Sequence, residues 1–148
     1  VSSGNKIIVA SHSEGMICVS GSGKSGKAML KWKNPKLKIN LSTPVIIGQH
    51  LYGFAEKDRF ICVDIKTGKL NWEERGFGTF YASTLTDGKK LLVLGQLGEL
   101  VLITTNPNKY EEIDRMQVCG KSWSFPGYSN GRLFVRDQKT LQCVQLLK

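Results

Sequence analysis

Strand-like segments recur in this chain about every 42 residues and keep their phase, and no other feature restricts the fold as much. The segments NKIIVA (5–10), HLYGFA (50–55), KLLVLG (90–95) and RLFVRD (132–137) lead with Ile7, Leu51, Leu91 and Leu133, spaced 44, 40 and 42 residues apart. Each follows a turn glycine: Gly4, Gly48, Gly88 and Gly131. A second set follows, MICV (16–19), FICV (60–63), LVLI (100–103) and LQCV (141–144). Its third positions are Cys18, Cys62, Leu102 and Cys143, which trail the first set by 11, 11, 11 and 10 residues. Two strands held in phase four times define a structural repeat.

Two further registers complete the unit. LSTPV (41–45), YASTL (81–85) and WSFPG (123–127) open an extended segment ahead of the glycine turns, and Trp32 and Trp72 close a fourth segment 40 residues apart. Four short strands in about 42 residues is the arithmetic of a β-propeller blade. Apolar residues nowhere follow the helical i, i+3, i+4, i+7 pattern with caps, so no long helix is expected. The sixteen glycines fit a turn-rich all-β chain. The predicted fold is therefore all-β, a single partial propeller domain over 1–148, with blades of four antiparallel strands at about 1–34, 41–75, 82–118 and 123–148. The first blade reads as lacking its innermost strand and the last stops after its third. That makes about three and a half blades, short of a closed ring, and open sheets leave unpaired backbone edges. The expectation is the C-terminal arc of a longer ring, with blades from the rest of the chain as its nearest partners.

Composition excludes several functions. The net charge is +9, from 21 Lys and Arg against 12 Asp and Glu. The basic residues are scattered at predicted turns and strand ends with no run of five, so a solvated basic surface is expected and nucleic acid is not. No window approaches the roughly 18 apolar residues of a membrane span. GSGKSGK (21–27) has phosphate-loop spacing, but Ala28 follows where Ser or Thr would hold Mg²⁺. The following AMLKW aligns with KLNW as a strand, so 21–27 reads as a long hairpin turn. Cys18, Cys62 and Cys143 fill one slot of successive blades and are expected to be small core residues rather than a disulfide set or metal site. No metal is expected.

The stretch CVDIKTGKLNW (62–72) joins two strands through a tight turn. Asp64 is placed to accept hydrogen bonds from the turn backbone, Gly68 permits the bend, and Trp72 offers an apolar face to a neighbouring sheet. Asp64-x-x-Thr67-Gly68-Lys69-x-x-Trp72 resembles the tryptophan-docking motif of propellers related to pyrroloquinoline-quinone (PQQ) dehydrogenases. One copy is full. The preceding blade keeps Gly26, Lys27 and Trp32 with Ser20 in place of Asp, and Thr104 to Met116 holds no copy. The resemblance implies a seven- or eight-bladed ring whose motif ties the outer strands of neighbouring blades. The final units resemble non-enzymatic PQQ-like repeat proteins outside the bacterial cytoplasm, which implies a periplasmic or cell-envelope location. The enzymatic branch of the family uses Ca²⁺, a stacking Trp, a catalytic Asp and an adjacent Cys-Cys pair. The sequence has no adjacent Cys pair and no acidic cluster with Ca²⁺-ligand spacing.

Propeller function sits on the faces and channel, where the innermost strands begin. Those positions are Ile39-Asn40-Leu41-Ser42, Phe80-Tyr81-Ala82-Ser83 and Ser122-Trp123-Ser124-Phe125. Tyr81 and Trp123 occupy matched positions, and Asn40, Arg75 and Lys121 add polar and positive groups, a set suited to a protein partner or a small anionic ligand. The competing role for Tyr81 and Trp123 is to plug the channel or cap a blade interface. Two functions stay open: a non-catalytic binding scaffold without cofactor, and the C-terminal part of a PQQ- and Ca²⁺-dependent alcohol or sugar dehydrogenase.

Overall fold

A computed structural model describes residues 1–21, 27–39 and 41–146. Every regular element is a strand. Four successive sheets are β1 (Ser2–Ser3) to β4 (Ala28–Asn34), β5 (Val45–Ile47) to β8 (Leu70–Arg75), β9 (Ala82–Thr86) to β12 (Glu112–Gln117), and β13 (Gly127–Ser129) to β15 (Leu141–Gln145). The middle strands are β2 (Lys6–Ser11) and β3 (Gly15–Gly21), β6 (His50–Ala55) and β7 (Arg59–Asp64), β10 (Lys90–Gly95) and β11 (Glu99–Thr104), and β14 (Arg132–Arg136). Within each sheet the strands pair antiparallel in chain order, four strands in the first three sheets and three in the last. This is the all-β, blade-like architecture that the repeat predicts.

Two details differ from the sequence reading. The first sheet has an innermost strand after all: Ser2 and Ser3 pair with Ile7 and Lys6, and the Ile8 amide donates to the Val1 carbonyl at 2.9 Å. Polar Ser-Ser hides it, because a two-residue strand has no alternation to detect. The innermost strands of the second and fourth sheets begin only at Val45 and Gly127. Pro44 and Pro126 stand immediately before them, and a residue without an N–H cannot donate to the ladder. No proline precedes Ala82, and the third sheet's inner strand starts there.

The core lies between sheets. Ile8, Met16 and Cys18 of the first sheet bury against Leu51, Ile61 and Val63 of the second. Tyr52, Phe60 and Cys62 then meet Leu91, Val93, Val101 and Ile103 of the third. Leu94 and Leu100 meet Leu133 and Val135 of the fourth. Strand alternation thus gives each sheet a forward face and a backward face.

All four cysteines are free thiols. Cys18, Cys62 and Cys143 do sit on the third strand of their sheets. The expectation that all three are core residues fails at Cys143, which is exposed. Its slot faces forward, and no sheet among the described residues covers it. Cys119, in the segment entering the fourth sheet, is buried instead.

Candidate interaction face

The turn that carries the docking motif is tied internally. Asp64 Oδ1 accepts from the backbone N–H groups of Lys66 and Thr67, both at 2.8 Å, and from the Thr67 hydroxyl at 2.9 Å. Burial pushes the Asp64 pKa up, but these donors outweigh it and hold the carboxyl below its usual range. The Lys69 amide donates to Thr67 Oγ1, and the Lys69 side chain is exposed. Gly68, at φ 72°, closes the bend.

The tryptophans reach forward onto such turns. Trp32 Nε1 donates to the Ile65 carbonyl at 3.0 Å and Asn34 Nδ2 to the Gly68 carbonyl at 2.8 Å. One sheet later, Trp72 Nε1 donates to the Asn106 carbonyl at 2.9 Å and Asn71 Nδ2 to that of Pro107 at 3.1 Å. A bulge aims them: the ladder slips one residue after Cys18 and after Cys62, just where Trp32 and Trp72 pair. An extra residue in one strand bends it and re-aims its side chains. The third sheet has the same slip after Leu102, but the paired residue is Asp114. Without an indole, a groove of about 490 Å³ opens between the third and fourth sheets, lined by Leu92, Leu100, Leu102, Asp114, Met116 and Tyr128 among others.

Of the candidate binding residues, Tyr81, Lys121 and Trp123 lie on the segments that run from the outermost strand of one sheet to the innermost strand of the next. These segments are pinned to the turns between second and third strands. Glu56 N–H donates to the Lys38 carbonyl, and Asp58 accepts from the amides of Gly76 and Phe77. Gln96 joins two segments at once: its side-chain oxygen accepts from Phe80 N–H at 2.9 Å and its carbonyl from Ser122 N–H at 2.9 Å. Gly98 fits because a Cβ there would stand 2.1 Å from the Cys119 carbonyl oxygen. Asp137 accepts from Gly120 N–H and from its own turn, at Lys139 and Thr140. The backbone donors of Lys139, Gly120 and Thr140 hold its pKa at about 2.

On this base the structure brings Tyr81 and Trp123 together, with ring centroids 6.3 Å apart and planes 21° from parallel. The Tyr81 hydroxyl shares a 2.7 Å hydrogen bond with Ser83. Trp123 is 53% exposed despite the stack. Phe80, Phe125, Leu41 and Leu97 are also more than half exposed on the same set of segments and turns. Lys121 and Arg75 are exposed, the latter closing β8. Asn40 lies outside the described residues, as do 22–26, most of the 21–27 turn. The sequence reading missed Arg136 and Gln96. The Arg136 guanidinium donates to Ser124 Oγ at 2.9 Å and its carbonyl accepts from the Ser122 hydroxyl, so it braces the Trp123 segment. Neither has a sequence signature, because both act through partners some 12 to 26 residues away.

Among the described residues no three His, Cys, Asp or Glu side chains are grouped to hold a metal ion. Nor is there, among the described residues, a helix long and apolar enough to cross a membrane.

The chain matches no family model and no curated protein. Its likeness is to solved structures. BamB from Moraxella catarrhalis superposes with a TM-score of 0.72 at 17% identity, over 97% of this chain and 44% of that one. The chain is a partial β-propeller. An S. cerevisiae assembly of Dbp5 with Nup159, Gle1, IP6 and ADP contains a further match at TM-score 0.50 and 12% identity, covering 94% of this chain and 40% of that one. The WD40 domain of SCAP from fission yeast matches at TM-score 0.46 and 12% identity, covering 95% of this chain and 44% of that one. The propeller arc thus spans less than half the length of each.

Proposed function

We propose that this arc is a non-catalytic PQQ-like propeller scaffold that binds a protein partner through the face built around Tyr81 and Trp123. One observation carries the reading: two aromatic rings are stacked on segments that Gln96 and Arg136 tie down, with Tyr81 half-buried and Trp123 left open to solvent. Exposed aromatic rings at low conformational cost are the usual anchors of protein interfaces, and contiguous exposed apolar surface marks interaction sites. Lys121 and Arg75 favour a partner with acidic groups at its rim. A small anionic ligand is the other occupant this chemistry suits. The fold likeness to BamB and the docking motif support a PQQ-like repeat protein working in the periplasm or cell envelope.

The test is capture from envelope extracts with wild type and with Tyr81→Ala/Trp123→Ala, both rings lying on the surface layer. Loss of a discrete partner with an unchanged melting temperature is the expected result. Equal recovery with both proteins would remove the face from consideration. Titration with PQQ and Ca²⁺ checks the dehydrogenase alternative, for which no absorbance change and no dye-coupled alcohol oxidation are expected.

A further inference from the structure

Leu41, Tyr81 and Trp123 form a row across three sheets. Val45, Leu85 and Gly127 pair with Tyr52, Leu92 and Phe134, which fill one slot of successive sheets. Each member of the row stands four residues ahead of that pair. The Ala82 amide donates to Ser42 Oγ at 3.1 Å, which holds the first two members side by side. The rings of the second and third have centroids 6.3 Å apart. An extended chain rises about 3.3 Å per residue, so its alternate side chains stand roughly 6.6 Å apart on one side. The two rings are therefore spaced to receive alternate residues of an extended segment laid across the sheets.

Charge on the same face is divided. The linking segments 35–44, 76–81 and 118–126 carry Lys36, Lys38 and Lys121 and no carboxylate. On the turns between second and third strands, Asp58 and Asp137 give their carboxylates to backbone amides. Glu14 pairs with Lys33 and Glu56 with His12. One lysine there is held at a conformational cost. Lys57 and Asp58 both take positive φ, 64° and 62°, in the turn between β6 and β7. Such turns favour Asn-Gly, and the matching turns of the first and third sheets place Gly15 and Gly98 at positive φ. The amides of Gly76 and Phe77 account for Asp58. Lys57 has no such role: it is exposed, and among the described residues its ammonium has no hydrogen-bond or ion-pair partner. Uncompensated strain at an exposed residue points to function.

We infer that the partner's contact is an extended acidic segment. Its alternate apolar side chains stand on Tyr81 and Trp123, and its flanking carboxylates meet Lys121 at one end and Lys57 at the other. Aromatic anchors inside a charged rim are the arrangement in which the rim selects the partner. The inference rests on the role given to Tyr81 and Trp123 above and adds the chemistry of what they hold.

Fluorescence anisotropy on the 148-residue chain tests it with three labelled peptides. The first has two Phe separated by one Ser and flanked on each side by paired Glu. The second has the same residues with the two Phe adjacent, and the third has Lys in place of every Glu. The first should bind at least roughly fivefold more tightly than the others, and Lys121→Ala should weaken it about threefold, as loss of one rim charge does. Lys66→Ala, on the docking turn of the opposite face, should leave it unchanged. Lys57→Asn gives the sharper readout, because Asn tolerates the left-handed backbone. That variant should melt higher than wild type and yet bind the first peptide more weakly, whereas a structural lysine would move both in one direction. Equal affinity for the three peptides, tighter binding of the basic one, no binding of the first, or unchanged binding by Lys57→Asn would each overturn the inference. Tighter binding to phosphatidylglycerol vesicles than to the first peptide would also overturn it, by assigning the lysines to a lipid surface. None of these results touches the face itself, which fails only if Tyr81→Ala/Trp123→Ala recovers from extracts what wild type does.

Discussion

The indole of Trp32 lies flat against Gly68 of the following sheet: a Cβ on Gly68 would stand 2.5 Å from Cε3 and 2.6 Å from Cδ2. Close approach and positive φ coincide at this glycine. Gly68→Ala should therefore cost more than the roughly 1–2 kcal/mol of a left-handed alanine alone, because the indole must also move. Gly48, at φ 59° with open space around its Cβ position, is the control. Urea denaturation should show a clearly larger drop in midpoint for Gly68→Ala than for Gly48→Ala. Equal drops would mean that the indole does not dock there in solution.

Trp72 combines a buried aromatic cluster with one directed hydrogen bond. Its ring centroid lies 6.0 Å from Tyr52 and 5.7 Å from Tyr110, and its N–H donates to Asn106. Trp72→Phe keeps most of the ring and should cost about 1 kcal/mol for the lost hydrogen bond. Trp72→Ala should cost about 3 kcal/mol or more, as large aromatic truncations do. A smaller penalty for alanine than for phenylalanine would contradict the packing described.

The repeat was legible because strand alternation and glycine turns leave the same trace four times, as at Ile7, Leu51, Leu91 and Leu133. The forward reach of Trp32 and Trp72 was legible through the resemblance, and its cause was not. The bulge that turns them needs an extra residue opposite Cys18 and Cys62, and an extra residue carries no composition of its own. Cys143 misled because a repeat predicts a slot, while burial depends on whether another sheet covers that slot. Tyr81 and Trp123 were found at matched positions, but their stacking arises from where Gln96 and Arg136 hold two segments 42 residues apart. Ser2 and Ser3 escaped notice because two polar residues form no pattern.

Thiol chemistry checks the burial assignments independently. Burial raises the pKa of Cys62 to about 11 and pushes those of Cys18 and Cys119 upward, and a protonated, covered thiol is a poor nucleophile. In the native protein these three should stay unreactive toward a disulfide reagent such as DTNB, and all four should react on unfolding. Fast native labelling of Cys62 would refute the packing of the second sheet on the third.

Acid stability follows from carboxylates held by backbone donors. Asp137 is kept at about 2 against an ordinary value of 3.8, so its folded-state pKa is depressed. The stabilisation is then complete above about pH 4 and is lost as pH falls from 4 toward 2, where the unfolded chain takes up the proton first. Melting temperatures of wild type and Asp137→Asn should differ at pH 6 and converge toward pH 2. A gap that persists at pH 2 would assign the effect of the substitution to something other than this charge.

Site-specific photo-crosslinking addresses most directly the claim that function resides on the Tyr81–Trp123 face and not on the docking scaffold. A benzoylphenylalanine placed at position 123 should capture a discrete partner, and the same residue at position 30, equally open on β4, should not. The adduct at 123 should vanish when Tyr81 is also replaced by Ala. Adducts of equal yield from positions 30 and 123, or an adduct at 123 indifferent to Tyr81, would contradict the account.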